Sequence, residues 1–369
     1  MHICLDYRPA LHEATGVGTY VSGLLSGLLE CHPEDRYTAF SASWKHRLGD
    51  VPDAGVVDVR VPVRILDALW HRCGWPAVER WTGDIDVAHS PSPLPIPTRR
   101  ALRVVTVHDC YFLRFPEHVS GPMSRDYVPL VRDSVRAADA VVAVSETTRR
   151  ELCELTGVDP KRVHVTYNGV GRTYRRSSAD AAPETLERLG IKRPYLLFVG
   201  RREPRKNLGV LLEAFAQVAA ARDDVDLLLV GPDGLGWDHT WSNVPGTVRR
   251  RVVLLPYQQA STLACLYAHS RALLLPSLWE GFGLTAVEAM ACGAPVIAAR
   301  AGALPEVLGD NALWIDPASP DEIARASHRV LDDDALRARL VEAGGRCAQR
   351  YSWRRTARLT HELYRRIVR

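Results

Sequence analysis

Short apolar runs alternate with longer amphipathic stretches along the whole chain. In the first half the runs fall near 2–6, 37–41, 57–61, 86–89, 103–107 and 140–144. In the second they fall near 195–199, 226–230, 251–255, 272–275, 295–298 and 312–315. Strands spaced by helical patterns predict parallel sheets joined by right-handed crossovers, so the expected class is α/β with two βα-repeating halves. Between the halves, Arg172–Ala182 is rich in Arg, Ser, Asp and Ala and poor in apolar residues, the composition of an exposed linker. The expected division is a first domain over 1–171, a linker over 172–192, a second domain over 193–350 and a last helical segment over 351–369. Trp353–Val368 carries apolar residues at roughly helical spacing with Arg and His between them.

One unit of this pattern concentrates polar groups. The strand Ala272–Leu275 feeds Pro276-Ser277-Leu278-Trp279-Glu280-Gly281-Phe282-Gly283, a helix follows through Glu288, and an apolar strand comes after it at 295–298. Open α/β sheets bind ligands where their strands end. Backbone N–H groups at a helix N-terminus suit an anion, and glycines let a ligand approach the main chain. Glu280 lies before the helix and Glu288 about one turn into it, and both can accept hydrogen bonds from hydroxyls. A ligand with phosphate at one end and hydroxyls along its length fits, and a sugar nucleotide is the candidate. The competing reading is that both carboxylates serve only the helix terminus, worth up to about 1 kcal/mol each.

Composition narrows this without adding a rival. The 369 residues make about two domains' worth of chain, and a net charge of +4 gives no indication of nucleic-acid binding. The eight cysteines include no Cys-x-x-Cys pair, so reduced thiols are expected rather than a disulfide framework or metal site. The N-terminus runs straight into a strand with no signal-peptide pattern, and no apolar run approaches the ~20 residues of a spanning helix. A cytoplasmic protein is expected. Trp70, Trp75 and Trp81, with Arg72, Arg80 and His71, form a basic-aromatic stretch that either packs into the first core or rests on a bilayer. Asp84-Ile85-Asp86 has the D-x-D form of a metal–diphosphate site but lacks a matching architecture.

Arg201 and Lys206 follow the strand at 195–199, on a loop entering the next helix. Two cations there can hold a diphosphate from two sides, Arg as a planar fork and Lys as a point charge. Gly16-Val17-Gly18 opens a helix after the first strand, but the third glycine of G-x-G-x-x-G is replaced by Val21, which argues against a dinucleotide fold.

Taken together, Glu280–Glu288 with its Gly-Phe-Gly turn resembles the E-x7-E signature of retaining glycosyltransferase family 4 (group 1). Phe198–Asn207 resembles the same family's Gly-Arg…Lys loop. Val107-His108-Asp109, Val144-Ser145-Glu146, Asn168-Gly169-Val170 and Leu229-Val230-Gly231 fall in the family's order, so the resemblance covers nearly the whole chain. It implies a GT-B fold: two facing Rossmann-like domains with an interdomain cleft, the first binding acceptor, the second binding donor, and the last helix crossing back to the first. It implies that Arg201, Lys206, Glu280 and His108 act in transfer, with Asp109 in support. Gly200, Gly231, Phe282, Gly283, Leu284 and Glu288 would bind the donor, Glu288 through the ribose and Glu280 through the hexose. The Gly16-Val17-Gly18 loop would approach phosphate and acceptor. His89 would line the acceptor side, and Arg202 and Arg205 would face solvent or acceptor. No metal or other cofactor is implied.

The implied reaction is retaining transfer of a hexose to a hydroxyl of a glycan or lipid-linked acceptor. The Thr15–Tyr20 loop, His108–Leu113 and Phe115–Glu117 look like mannosyltransferases of polysaccharide and O-antigen assembly, which leans the donor toward GDP-mannose ahead of UDP- or dTDP-sugars. A nucleotide-sugar 2-epimerase, a phosphorylase and a non-catalytic nucleotide-binding protein are the alternatives on this fold.

Overall fold

The computed structural model describes residues 1–11, 15–116, 124–176 and 182–369. Residues 177–181 of the expected linker, and Glu117, lie outside the described residues. The chain divides into two compact units, Met1–Gly169 with Ser352–Arg369, and Val170–Tyr351. The last helical segment therefore belongs to the first unit.

The first unit is built on seven parallel strands: β1 (His2–Asp6), β2 (Arg36–Ala42), β3 (Gly55–Val59), β4 (Val87–Ser90), β5 (Leu102–Val107), β6 (Ala140–Ala143) and β7 (Val163–Val165). Their order is β3-β2-β1-β4-β5-β6-β7, so the winding reverses between β1 and β4. The apolar pattern anticipates the first six and misses β7, whose three residues follow Lys161-Arg162 and leave no run to detect.

The C-terminal helix Trp353–Val368 docks on the helix Gly16–Cys31 because glycines clear space for it. A Cβ on Gly23 would lie 2.2 Å from the Trp353 ring, one on Gly27 2.5 Å from the Trp353 carbonyl oxygen, and one on Gly169 2.1 Å from the Trp353 nitrogen. Gly169 in the Asn168-Gly169-Val170 landmark is thus a packing residue. A buried polar chain completes the docking. His89 Nδ1 meets the Tyr364 hydroxyl at 2.5 Å, His89 Nε2 meets Thr106 Oγ1 at 2.7 Å, and Thr106 Oγ1 meets the Tyr20 hydroxyl at 3.0 Å. Burial lowers the His89 pKa to about 3, so the ring stays neutral.

The second unit carries six parallel strands: β8 (Tyr195–Val199), β9 (Asp226–Val230), β10 (Val252–Leu255), β11 (Ala272–Leu275), β12 (Val296–Ala299) and β13 (Leu313–Ile315). The order β10-β9-β8-β11-β12-β13 puts the reversal between β8 and β11. β8, β11 and β12 are buried at every residue, which explains their unbroken apolar runs: a parallel sheet is covered on both faces. One boundary differs from expectation. Residues 182–192 are not linker, because the helix Ala182–Arg188 packs against the helix Ala260–His269 within the second unit. Among the described side chains, Leu186, Leu189 and Ile191 are the large apolar ones there, too few to stand out from polar neighbours.

Candidate functional site

The loops that leave β8 and β11 flank the switch point of the second sheet, where such sheets present ligand sites. Gly200 leaves β8 with φ +154°, and Gly231 leaves β9 with φ +136°. A Cβ on Gly231 would stand 2.3 Å from the Gly200 carbonyl oxygen, so the two turns can run together only as glycines. Gly200 N–H donates to the Val230 carbonyl at 2.9 Å, and Arg202 N–H to that of Pro232 at 3.0 Å.

The cations beyond Gly200 part company. Arg201 is exposed, its guanidinium touching the Asp233 carbonyl at 3.2 Å. Arg202, expected to face solvent or acceptor, is buried instead: Nε donates to Asp233 Oδ1 at 2.6 Å and the guanidinium stacks over Trp237 at 5.3 Å. It fastens the β9 turn to the β8 turn. Arg205, expected to face solvent or acceptor as well, lies partly buried against the β11 loop. Its Nη1 donates to the Trp279 carbonyl at 2.9 Å and lies 3.5 Å from Glu280 Oε2. Lys206 Nζ sits 2.5 Å from Glu280 Oε1. The structure thus joins Lys206 and Glu280 directly.

Glu280 is buried, and its main chain is fixed by a turn that sequence reasoning did not single out. Ala303 N–H donates to the Glu280 carbonyl at 2.8 Å. Gly302, at φ +54°, has no room for a Cβ, which would lie 2.2 Å from that same oxygen. The only trace in the sequence is Ala-Gly-Ala two residues past β12. Burial pushes the Glu280 carboxyl up, but Lys206 and Arg205 outweigh it and hold the group below its usual range.

Past Glu280, the Phe282 side chain is buried edge-on against Tyr351 at 5.3 Å, so only its main chain is available to a ligand. Gly283, at φ +89°, starts the helix Leu284–Ala291 with no side-chain cap. Glu280 and Glu288 therefore do not cap it. Glu288 is buried within the helix, and Tyr267, also missed by the sequence reading, donates its hydroxyl to Oε2 at 3.2 Å. Among the described residues no cation counters burial here, and the Glu288 pKa is raised to about 8. The two carboxyls, with seven residues between them, are thereby shifted in opposite directions.

In the first unit, His108 follows β5 half-buried, with Nε2 3.0 Å from the Pro91 carbonyl and its ring edge-on to Tyr20 at 4.9 Å. The carbonyl partner requires the proton on Nε2, leaving Nδ1 as an acceptor, and burial lowers the pKa. Asp109 Oδ1 accepts the Tyr111 N–H at 3.1 Å. Gly16, Val17 and Gly18 form the first turn of the helix Gly16–Cys31, and Gly18 N–H already donates to Thr15 Oγ1 at 3.1 Å. That amide is consequently committed within the turn. His89 is also corrected: fully buried with both nitrogens bonded, it lines no acceptor surface. Asp86 accepts the His2 N–H at 2.7 Å and the Asp84 carbonyl meets the His2 ring, so this pair anchors β1. Trp70 is buried and Trp81 packs on Phe40 at 5.8 Å, whereas Trp75 is exposed.

All eight cysteines are free thiols. Among the described residues, His32, Glu34 and His361 form a group whose ligand atoms lie within 4.8 Å of one another. The two imidazoles are stacked at 3.5 Å and 9°, so their lone pairs run side by side instead of converging on an ion. No described helix is long and apolar enough to cross a membrane.

Comparison with known proteins agrees with this architecture. The model for Glycosyltransferase Family 4 matches residues 14–173, and that for Glycosyl transferases group 1 matches 183–346. An O-antigen chain mannosyltransferase B of Escherichia coli is 31% identical over 282 residues, 76% of this chain and 74% of that protein. A D-inositol 3-phosphate glycosyltransferase of Nocardioides is 35% identical over 255 residues, 63% of this chain; the match spans about half of that relative's length, 54%. Sucrose-phosphate synthase of Thermosynechococcus elongatus superposes with a TM-score of 0.77 over 100% of this chain and 99% of its own, at 20% identity, a likeness of fold. With two parallel-sheet units and both family models matched in order, the chain belongs to glycosyltransferase family 4 of the group 1 glycosyl transferases and has the GT-B fold.

Proposed function

We propose that the protein is a retaining, metal-independent hexosyltransferase that moves mannose from GDP-mannose to a hydroxyl of a glycan or lipid-linked acceptor. The observation that carries this reading is the joining of the β8 and β11 loops through Lys206 and Glu280 at the switch point of the second sheet. An ammonium has three donors: one can stay on Glu280 while the others meet phosphate oxygens. Arg201 and the N–H groups opening the helix Leu284–Ala291 supply further positive potential for the leaving diphosphate as its charge grows in the transition state. Glu280 accepts a hydroxyl of the hexose. The acceptor attacks from the face the diphosphate leaves, and a donor phosphate oxygen takes its proton. His108, with Nδ1 free to accept, contacts the donor sugar. Gly200, Gly231, Gly283 and Leu284 bring main chain to the donor.

The mannose assignment is supported by the name of the Escherichia coli relative, and the inositol phosphate relatives make the acceptor an open variable. Calorimetric titration with GDP, UDP and dTDP tests it. GDP is expected to bind tightest; a UDP or dTDP preference overturns mannose while leaving transfer, and binding of none overturns the sugar-nucleotide reading.

The acceptor reading extends to a cytoplasmic, peripheral membrane contact. Trp44, Ile65 and Trp75 of the first unit are 56%, 56% and 59% exposed, and Arg60 stacks over Trp44 at 5.1 Å. Such aromatic and basic side chains suit a bilayer interface. Cosedimentation with vesicles containing phosphatidylglycerol should capture the wild type and lose most of a Trp44→Ser/Trp75→Ser variant. Equal capture of the two, or none of either, overturns this contact.

A further inference from the structure

An asparagine just before a helix is ordinarily a cap or a left-handed joint, and neither use accounts for Asn207. It precedes the helix Leu208–Ala221, yet its side chain makes no cap bond to the first turn. Its backbone is left-handed, with φ +58° and ψ +40°, a conformation that glycine adopts at less cost. The side-chain nitrogen instead lies 2.6 Å from the Pro317 carbonyl oxygen and 3.2 Å from that of Pro276. Both oxygens can only accept, so the carboxamide directs its two N–H donors at them. Pro276 leaves β11 and Pro317 lies two residues past β13, so one side chain ties the β8 loop to the loops of two other strands.

The neighbour of this staple is Lys206. On the other side of that lysine, the Arg205 carbonyl accepts the Leu278 N–H at 2.9 Å, and the Arg205 guanidinium donates to the Trp279 carbonyl. Lys206 is thus held between two anchors on the loop that carries Glu280, with Nζ 2.5 Å from Oε1. A lysine stem is flexible, so its ammonium is placed only as well as the main chain that bears it. We propose that Asn207 is a positioning residue for transfer: its carboxamide pins the β8 loop to the loops after β11 and β13 and so holds Lys206 against Glu280 before a donor arrives. The proposal rests on the reading of Lys206 as the cation on the leaving diphosphate. With the loop pinned, the ammonium turns its remaining donors toward phosphate without the main chain following, and the charge is in place before it is needed.

The test is Asn207→Gly in the full-length protein, which suits the left-handed backbone and deletes the carboxamide. Carboxyl-13C NMR of glutamate-labelled protein, with Glu280→Gln to assign the resonance, reads the ion pair without any turnover. Glu280 titrates below the usual carboxylate range in the wild type, where Lys206 and Arg205 outweigh burial, and its midpoint is expected to rise in the variant. Calorimetry with GDP against GMP, and UDP against UMP, is expected to show the preference for the diphosphate falling about fivefold, the size of one hydrogen bond. An unmoved midpoint in the folded variant overturns the positioning. A raised midpoint with an unchanged diphosphate preference overturns the role of Lys206 at the diphosphate, and with it the function of the staple. If the wild type binds none of these nucleotides, the donor reading is overturned, and the midpoint then decides the staple alone. Should the glycine variant not fold, the wild type decides. The chain has four asparagines, Asn168, Asn207, Asn243 and Asn311, and among the described residues only Asn207 has acceptors for both carboxamide protons. In 15N-asparagine-labelled protein one side-chain pair is therefore expected to exchange slowly at both protons, and finding none overturns the staple.

Discussion

Lys206→Ala is expected to lower turnover by about three orders of magnitude, since it removes a charged donor from the proposed site of the leaving diphosphate. The substitution has a second consequence that must be separated from the first. Lys206 and Glu280 are both largely buried, with side chains 12% and 10% exposed, and they lie 2.5 Å apart. Breaking such a pair from one side leaves a buried carboxylate and costs about 3–5 kcal/mol in general. Arg205, at 3.5 Å from the other carboxylate oxygen, takes over part of that role, so the loss here should fall toward the lower end. The pH dependence follows with a definite sign. The folded Glu280 pKa lies below its unfolded value, so the pair's stabilisation is present above about pH 4.5 and is lost as pH falls through the folded pKa. Lys206→Ala should erase much of that acid sensitivity while lowering the plateau above it. Lys206→Met/Glu280→Gln removes both charges and should regain stability without regaining turnover. Steady-state kinetics with saturating donor and thermal unfolding from pH 3 to 8 measure both effects. Near-wild-type kcat in folded Lys206→Ala would remove Lys206 from the diphosphate site.

The fold was legible because its signal is carried by each strand separately. β8, β11 and β12 are apolar at every position because both faces of the sheet are covered, and that leaves an unbroken run whatever surrounds it. β7 and the helix Ala182–Arg188 escaped for the opposite reason: three residues and a few leucines do not make a period. In the site, Arg201, Lys206 and Glu280 stand out because they follow strand ends in loops that carry glycines, and Glu288 because of its spacing from Glu280 across the Gly-Phe-Gly turn. What spacing could not give is partnership. Arg202 and Arg205 share one loop with Lys206, yet one stacks on Trp237 and the other reaches the Trp279 carbonyl, contacts set by residues 31 to 74 positions away. His89 likewise reads as a strand-end histidine until Tyr364, 275 positions later, closes over it. The opposed titrations of Glu280 and Glu288 have the same origin, since one faces two cations and the other a tyrosine.

Gly302→Ala is expected to lower both stability and turnover. At φ +54° an alanine is strained by about 1 kcal/mol before any contact is made. Its Cβ would then meet the Glu280 carbonyl oxygen at 2.2 Å, nitrogen at 2.8 Å and carbonyl carbon at 3.0 Å. All three are main-chain atoms, so no side-chain rotation relieves the clash and one of the two turns must move. The Ala303 N–H bond to the same carbonyl, at 2.8 Å, lies on the line of that movement. Displacing Glu280 drags its carboxylate off Lys206 and Arg205, which couples a backbone defect to the proposed donor site. A shift approaching 1 Å at such a site costs about 100-fold in rate. The measured result should be a fall in Tm together with a fall in kcat/KM of about that size. Gly209→Ala is the control: Gly209 lies in the helix Leu208–Ala221 with nothing within 4 Å of a new Cβ, and alanine there should stabilise by about 1 kcal/mol without touching turnover. If Gly302→Ala keeps wild-type kcat/KM, the Glu280 main chain has freedom the clash denies it, and the carboxylate must be placed by its two cations alone.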